Sequence, residues 1–347
     1  MALIPTTILT GFLGAGKSTL LNRILQEQHG YNIAVIENEF GQENIDNDIL
    51  VQDSSEQIIE MNNGCICCTV RGDLIVALSN LAQKRNNGQL KFDRVIIETT
   101  GLANPGPVAQ TFFMDEEVAT HFLLDAIVTV VDTKHAMQQL DTHEEAQRQV
   151  GFADKLLLSK ADLVSPDELA LLRKRLKQMN PRAPLIPANF GQVPISEVLD
   201  LRGFNLNEKL EIDPDFLAAE NQSHEDAQKY HEHHCDVHCT HDHHHSYHSD
   251  NIAAFAFKSN RPFDPAKLEE FLGGLVQVYG PRMLRYKGIL WMNGADRKVV
   301  FQGVHQMMGS DMGGKWPEGQ ERNSKLVFIG NKLPKDIFIR GLEQCLV

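Results

Sequence analysis

The fold is decided by the stretch Gly11-Phe12-Leu13-Gly14-Ala15-Gly16-Lys17-Ser18, which fits the phosphate-loop pattern G-x-x-x-x-G-K-[ST] without a mismatch. Residues 4–10 before it are rich in β-branched and apolar types and predict a strand. Residues 17–28 predict a helix, because leucine and isoleucine recur there at helical spacing. A glycine turn between a strand and a helix is the context in which this motif holds phosphate. The sequence therefore predicts an α/β domain that binds a nucleoside triphosphate.

The residue types of this loop suit phosphate binding in several ways. Its glycines let backbone N–H groups approach phosphate oxygens, and the helix N-terminus adds the positive end of the helix dipole. We expect Lys17 to reach the β- and γ-phosphates and the Ser18 hydroxyl to bind Mg²⁺, so both are catalytic candidates. The candidate nucleotide-binding residues of the loop are Gly11, Gly14, Ala15, Gly16, Lys17, Ser18 and Thr19.

A candidate Mg²⁺ carboxylate stands at the end of another predicted strand. Residues 94–98 are mostly apolar and end in Glu98, which is followed by Thr99-Thr100-Gly101. At that place Glu98 would hold Mg²⁺ directly or through water, and the Gly101 amide would meet the γ-phosphate. The alternative is an ordinary strand-end glutamate, but the phosphate loop upstream favours the metal role. Glu98 is therefore both a catalytic and a nucleotide-binding candidate.

A guanine-binding pattern follows a third predicted strand, residues 155–158. Ser159-Lys160-Ala161-Asp162 fits [NST]-K-x-D, the pattern by which GTPases recognise guanine. Asp162 would accept hydrogen bonds from guanine N1–H and N2–H₂, while the Lys160 stem packs on the base. Adenine offers no such pair of donors, so the motif favours GTP over ATP. Residues 187–189, after the next short strand, would close the other side of the base.

Strand and helix signals alternate over residues 1–210, which predicts a mostly parallel sheet covered by helices on both faces. Residues 211–250 are polar, with almost no periodic apolar signal, and predict a flexible linker. Residues 251–347 predict a small α+β domain of order βαβββα. Its first helix would begin at Asp264-Pro265, with aspartate as N-cap and proline at the first helical position, and the methionines of residues 307–312 would lie in a loop.

Three thiols stand together in Gly64-Cys65-Ile66-Cys67-Cys68, inside the predicted nucleotide-binding domain. Thiolates bind Zn²⁺ and other soft or borderline ions, and Zn²⁺ prefers four ligands. A short turn of this kind supplies two or three ligands, so the remainder must come from a carboxylate, a histidine or water. A structural zinc or buried inert thiols are the alternatives. An incompletely closed site would suit metal transfer, because a sealed cage of four cysteines releases its metal slowly.

Ten of the fifteen histidines lie between His224 and His248, with Cys235 and Cys239 among them. Imidazoles at this density bind divalent transition metals in many geometries. One interpretation is a polar linker that binds metal only as a histidine tag does. The other is a local metal store that loads the cysteine site. Its place between the predicted domains would also permit zinc-dependent oligomerisation.

Composition excludes several classes of protein. The formal net charge of −13 argues against a nucleic-acid backbone as the main partner. No apolar run reaches roughly 18 residues, so no membrane span is predicted. Because the first strand begins by residue 4, we expect no signal peptide and a cytoplasmic location.

Together these motifs, with the segment Glu37-Asn38-Glu39-Phe40-Gly41, resemble the CobW family of GTPases, and within it the YjiA-like branch of zinc-binding GTPases or proposed metallochaperones. Residues 284–291 and 301–304 are also similar to that branch, so the resemblance covers both predicted domains. Two positions depart from common GTPase patterns: Ser159 stands where Asn is usual, and Glu98 stands where a typical GTPase has Asp.

The resemblance implies that GTP hydrolysis controls delivery of Zn²⁺, or of cobalt or nickel, to a client apo-metalloprotein. Glu37 is the first choice to complete the site of Cys65, Cys67 and Cys68, because it stands at the end of a predicted strand, residues 32–36, and lies in the matching segment. Glu39 and Asp73 are weaker candidates. Two other functions stay open. A zinc buffer or sensor with regulatory GTP binding would bind metal irrespective of nucleotide, and a small-molecule kinase with a structural zinc would prefer ATP.

Overall fold

The computed structural model describes residues 3–37, 49–52, 70–204, 250–317, 319 and 321–347. The three cysteines at 65, 67 and 68, Glu39, and the histidine run therefore lie outside the described residues, as does nearly all of the predicted linker. Up to residue 204 the elements are β1 (Ile4–Gly11), α1 (Lys17–Gln26), β2 (Ile33–Glu37), β3 (Ile49–Gln52), α2 (Val70–Asn86), β4 (Arg94–Glu98), α3 (Pro105–Met114), α4 (Glu116–His121), β5 (Phe122–Asp132), α5 (Ala136–Thr142), α6 (Glu144–Phe152), β6 (Lys155–Ser159), α7 (Pro166–Met179) and β7 (Leu185–Pro187).

The strands in this part of the described chain form a seven-stranded sheet in the order β3-β2-β4-β1-β5-β6-β7. Neighbouring strands are parallel except β2 and β3, which pair antiparallel at one edge. The predicted mostly parallel sheet is confirmed. Because β1, β2, β4 and β6 run in the same direction, the residues that follow them meet at one edge of the sheet.

Both faces of this sheet are buried, which explains the continuous apolar runs of its strands. In β1, Ile8 packs into the cluster on one face and Leu9 into the cluster on the other, and neither is exposed. In β4, Val95 and Ile97 alternate with Ile96 in the same way. The helices that cover the two faces therefore hold the carboxyl ends of the strands rigidly in place.

The C-terminal part contains β8 (Ile252–Ser259), α8 (Pro265–Tyr279), β9 (Met283–Leu290), β10 (Arg297–Val304), β11 (Met307–Lys315), β12 (Ser324–Asn331) and α9 (Lys335–Gln344). Its described strands form a five-stranded antiparallel sheet in the order β11-β10-β9-β12-β8. The predicted N-cap is present, since the Asp264 side chain accepts hydrogen bonds from the backbone N–H groups of Ala266 and Lys267 at 3.0 and 3.1 Å. The small α+β domain is thus confirmed, although the described elements have one strand more than the predicted order βαβββα.

One prediction for this domain is wrong. The methionine-containing stretch expected to form a loop is strand β11, which pairs with β10 from Val304↔Met307 to Arg297↔Lys315. Most of its side chains are exposed and three of its nine residues are glycine, so the sequence carries no alternating apolar pattern. Backbone pairing with β10 makes the strand, and that pairing is not visible in local sequence.

The two domains share a hydrophobic core. The sheet face formed by Leu284, Val304, Val327 and Ile329 belongs to the same cluster as Phe152 and the helices of the first domain. At the same boundary Arg285 forms an ion pair with Asp154, and both side chains are buried. The opposite sheet face packs on α8 and α9 through a separate aromatic cluster that includes Cys345. No described helix is long and apolar enough to cross a membrane.

Candidate functional site

The phosphate loop begins where the backbone of β1 approaches β5 closely. A Cβ atom on Gly11 would clash with the carbonyl oxygen of Val130, so no larger residue fits there. Gly16, immediately before α1, adopts φ 99°, a left-handed conformation that favours glycine. The Ala15 N–H donates to the Phe12 carbonyl at 3.1 Å and closes the turn. The glycine pattern thus has a direct steric reason in this structure.

Lys17 is folded over the loop that precedes it. Its Nζ donates to the Gly11 carbonyl at 2.9 Å, and the residue is only 9% exposed. Burial lowers the pKa of Lys17, while the negative charge of Glu98 acts in the opposite direction. A buried ammonium group among backbone carbonyls is well suited to bind an anion, because a phosphate would compensate its charge more completely.

Ser18 and Glu98 come together across two strands of the sheet. The Ser18 hydroxyl donates to Glu98 Oε1 at 3.0 Å, and Glu98 is 8% exposed. The contact is possible because β4 lies beside β1 in parallel, with Leu9 opposite Glu98. A hydroxyl and a carboxylate at the mouth of the loop form a set of hard oxygen donors, which fits the preference of Mg²⁺.

The segment after β4 is held from two sides. The Thr99 hydroxyl donates to the Thr10 hydroxyl at 2.8 Å, and a Cβ atom on Gly101 would lie 2.7 Å from the Leu13 nitrogen. From α6, the Gln149 side-chain amide donates to the carbonyls of Gly101 and Ala103 at 3.1 and 3.0 Å. Gln149 is 1% exposed, so its position is set by packing. The sequence motifs did not point to this glutamine.

The guanine-binding candidate is bonded directly to the phosphate loop. The Ser159 hydroxyl donates to the Ala15 carbonyl at 2.7 Å, and Lys160 Nζ donates to the Gly14 carbonyl at 2.9 Å. Lys160 Nζ also pairs with the buried Asp132 carboxylate at 2.7 Å. Asp162 itself is exposed on a short 3₁₀ turn, residues Ala161–Leu163. These contacts hold the two motifs in one site, although a long stretch of chain separates them.

Asp132, the last residue of β5, is a further member of the site that motif matching missed. Burial acts to raise its pKa, but hydrogen bonds from Lys160 and His135 outweigh burial and the pKa is lowered. The carboxylate also accepts backbone N–H bonds from Lys134 and His135 at 3.1 and 3.3 Å. The only sequence signal was a carboxylate at the end of an apolar strand, the same signal that marked Glu98.

The turn after β7 lies beside the guanine-binding candidate. The Asn189 side-chain oxygen accepts a hydrogen bond from the Ala161 backbone N–H at 2.8 Å, so residues 189–191 lie against the loop that contains Asp162. The same turn touches α1, because a Cβ atom on Gly191 would lie 3.0 Å from Leu20 Cα. Residues 187–189 thus lie beside the loop of Asp162, and their expected place over the other side of the base stays a prediction.

Of the four candidate zinc ligands, only Glu37 falls among the described residues. It ends β2, is exposed, and stands opposite Glu98 in the parallel register of β2 and β4. Asp73, a weaker candidate, lies in the first turn of α2. Within the described ranges no group of three or more His, Cys, Asp or Glu side chains is arranged to hold a metal ion.

Comparison with known proteins agrees with this architecture. Residues 5–187 match the family model described as CobW/HypB/UreG, nucleotide-binding domain, and residues 252–346 match the cobalamin synthesis protein cobW C-terminal domain. The chain is 37% identical to the zinc chaperone YjiA of Escherichia coli K12 over 96% of both chains. It is 31% identical to the zinc chaperone CobW of Pseudomonas aeruginosa, over 100% of this chain and 92% of that protein.

A solved structure extends the agreement to the whole fold. The crystal structure of the Zn(II)-bound YjiA GTPase from E. coli superposes with a TM-score of 0.77 at 35% identity and covers 100% of both chains. The match therefore includes both the phosphate-loop sheet and the antiparallel C-terminal sheet. From the two family models, the full-length relatives and this structure, the chain belongs to the CobW/HypB/UreG family of nucleotide-binding proteins and carries the CobW C-terminal domain.

Proposed function

We propose that this protein hydrolyses GTP and uses nucleotide state to control the transfer of zinc from a site of Glu37, Cys65, Cys67 and Cys68 to a client apo-metalloprotein. The observation that carries the proposal is the register of β2 and β4, which places Glu37 opposite Glu98. Neighbouring parallel strands lie about 4.8 Å apart, so the proposed zinc ligand Glu37 and the proposed Mg²⁺ ligand Glu98 would lie at the same end of the sheet.

GTP is the nucleotide that the site residues support. Lys17, Ser18 and Thr19 open α1 beneath the phosphate loop, and Lys160 is bonded to that loop at Gly14. Asp162 lies exposed beside it and would accept the two guanine donors. Relatives with a GTPase name, including the E. coli protein of known structure, support the same assignment.

Ser18 and Glu98 would hold Mg²⁺, because their oxygens already meet at the mouth of the loop. Bound there, Mg²⁺ would supply positive charge that offsets the negative charge developing during phosphoryl transfer. In this chain Lys17 would bind the β- and γ-phosphates, and the Gly101 amide would orient the γ-phosphate. Gln149 keeps that amide in position by its bond to the Gly101 carbonyl.

Zinc would be the cargo of this protein rather than a resident cofactor. Two full-length relatives are named zinc chaperones, and the E. coli crystal structure contains Zn(II). Thiolates with one carboxylate would leave an exchangeable site, which also accommodates cobalt or nickel. A change at Glu98 on γ-phosphate loss would act on the neighbouring strand end at Glu37, and this is the physical route by which hydrolysis would loosen the metal.

The test is a zinc titration of the full-length protein against a competing chelator in three states: nucleotide-free, bound to a non-hydrolysable GTP analogue, and bound to GDP. We expect tighter zinc binding with the analogue and a return to the nucleotide-free affinity with GDP. Equal zinc affinity in the three states would overturn nucleotide-controlled transfer and favour a zinc buffer or sensor with regulatory GTP binding.

Two variants separate zinc binding at the cysteine site from nucleotide binding. Cys67→Ala should weaken the high-affinity zinc event and leave GTP affinity intact, whereas Lys17→Ala should abolish nucleotide binding and spare metal uptake by the histidine run. Cys345→Ala is the matched thiol control, because Cys345 is buried in the C-terminal aromatic cluster. A nucleotide-dependent zinc event that survives Cys67→Ala would exclude the cysteine site.

A further inference from the structure

Phe190 combines two unfavourable features at one position. It lies in the 3₁₀ turn Asn189–Gly191 with φ 53° and ψ 29°, a left-handed conformation that bulky residues rarely adopt. It is also 73% exposed, more than any other large apolar side chain among the described residues. The ring therefore gains little from burial while the backbone carries strain. Such positions persist where the surrounding structure enforces them, and they cluster at ligand-binding sites.

The turn that carries Phe190 is fixed on three sides. The Asn189 side-chain oxygen accepts the Ala161 N–H at 2.8 Å, which joins the turn to the loop of Asp162. The Ala188 N–H donates to the Leu158 carbonyl at 2.8 Å and continues the pairing of β6 with β7. On the third side Gly191 packs against the backbone of α1. Phe190 is thus held between the guanine-binding candidate and the helix that begins at the phosphate loop.

The surroundings of Asp162 have the chemistry of a purine site. Leu163, the next residue, is 55% exposed, so the exposed carboxylate is flanked by an apolar side chain on its own loop. Phe190 supplies an exposed aromatic side chain from the neighbouring turn. A guanine base has apolar faces and an edge with two adjacent N–H donors, so a carboxylate fits the edge and a flat apolar group fits a face.

We propose that Phe190 stacks on the base of the bound nucleotide, on the face opposite the Lys160 stem, and holds the base edge against Asp162. The inference rests on the proposed GTP binding and assigns it a residue outside the recognised motifs. Stacking tolerates any base, because every base has a π-face, so Phe190 contributes affinity and Asp162 contributes the choice of guanine. The strained turn is what keeps the ring in place before nucleotide binds.

The experiment compares full-length wild type, Phe190→Ala and a matched control, Leu171→Ala, an apolar residue of α7 that is 54% exposed. Calorimetry measures the affinity of each for GTP, GDP and tripolyphosphate. We expect Phe190→Ala to weaken GTP and GDP binding by about 5- to 150-fold, the range for loss of one base–aromatic stack. Tripolyphosphate affinity should not change, and Leu171→Ala should match wild type with all three ligands.

A second variant tests whether the Phe190 ring contributes to nucleotide binding or to the stability of the fold. Asparagine tolerates the left-handed conformation, so Phe190→Asn should raise the urea midpoint of unfolding while weakening GTP binding as Phe190→Ala does. A GTP affinity within twofold of wild type in Phe190→Ala would overturn the stacking role and leave the proposed function standing. Wild-type protein that binds GTP no more tightly than tripolyphosphate would overturn both.

Discussion

Gln149 provides a sharp test of how the γ-phosphate segment is held. Substitution Gln149→Leu keeps most of the side-chain volume but removes both hydrogen bonds to the carbonyls of Gly101 and Ala103. A typical intramolecular hydrogen bond contributes about 1 kcal/mol, so the two together contribute about 2 kcal/mol. The bond to Gly101 contributes at least its share of this free energy, because the Gly101 carbonyl is buried and no water molecule would replace the lost donor.

This free energy of about 2 kcal/mol predicts how far Gln149→Leu slows GTP hydrolysis. If the segment must be ordered in the transition state, a loss of about 2 kcal/mol slows GTP hydrolysis about 30-fold, since 1.36 kcal/mol corresponds to a factor of ten. GDP lacks the γ-phosphate that the Gly101 amide would meet, so GDP affinity should stay near the wild-type value. Single-turnover phosphate release gives the rate, and a GDP titration gives the affinity.

The matched control is Gln138→Leu, because Gln138 is an exposed glutamine on the neighbouring helix α5. It should leave rate, GDP affinity and urea stability unchanged. A Gln149→Leu rate within threefold of wild type would refute the positioning role. Equal losses for GTP hydrolysis and GDP binding would instead show that the substitution disturbs the whole nucleotide site.

Two other outcomes follow from buried charges. The pKa of Asp132 is lower in the folded protein than in the unfolded chain, where it is about 4. The ionised Asp132 carboxylate therefore stabilises the fold through Lys160 at pH values above about 4. This stabilisation is lost as the pH falls below about 4 and through the folded-state pKa, because the carboxylate becomes protonated. The difference in unfolding free energy between wild type and Asp132→Asn, measured in urea, should therefore shrink between pH 5 and pH 3. Arg285→Met should destabilise the protein by about 3–5 kcal/mol, because it leaves the buried Asp154 carboxylate without its ion-pair partner, and urea unfolding measures the loss.

A pH-independent difference between wild type and Asp132→Asn would contradict the first expectation. For the second, Arg340→Met is the control, because Arg340 is exposed on α9 and should change stability by less than about 0.5 kcal/mol. Equal losses of unfolding free energy from the two arginine substitutions would show that the buried ion pair contributes no more to stability than an exposed arginine does.

Helix α6 links the segment after β4 to the C-terminal domain. Gln149 bonds the segment after β4, and two residues earlier the Gln147 side-chain oxygen accepts the backbone N–H groups of Asn251 and Ile252 at 2.9 and 3.3 Å. One short helix therefore contacts both the expected γ-phosphate segment and the first strand of the C-terminal sheet. Hydrogen exchange at β8 is the readout in which Gln149→Leu should reveal this connection.

Local sequence determined much of the nucleotide site. The phosphate loop is contiguous, and its glycines, lysine and serine specify backbone conformation and donor groups within one turn. The β4 strand has the bounds expected from its pattern, Arg94–Glu98. The Asp264 cap marked the start of α8 for the same reason, since a capping side chain bonds only to the next few residues.

Tertiary structure alone decided which distant residues complete the site. Ser159 meets Ala15, Gln149 meets Gly101 and Arg285 meets Asp154 because parallel strands and packed helices bring them together. None of these partners is near the other in the chain, so no local periodicity or motif records the contact. The same holds for β11, which is a strand because its backbone pairs with that of β10. Sequence determines bonds that close within a turn, whereas bonds across the core depend on how whole elements pack.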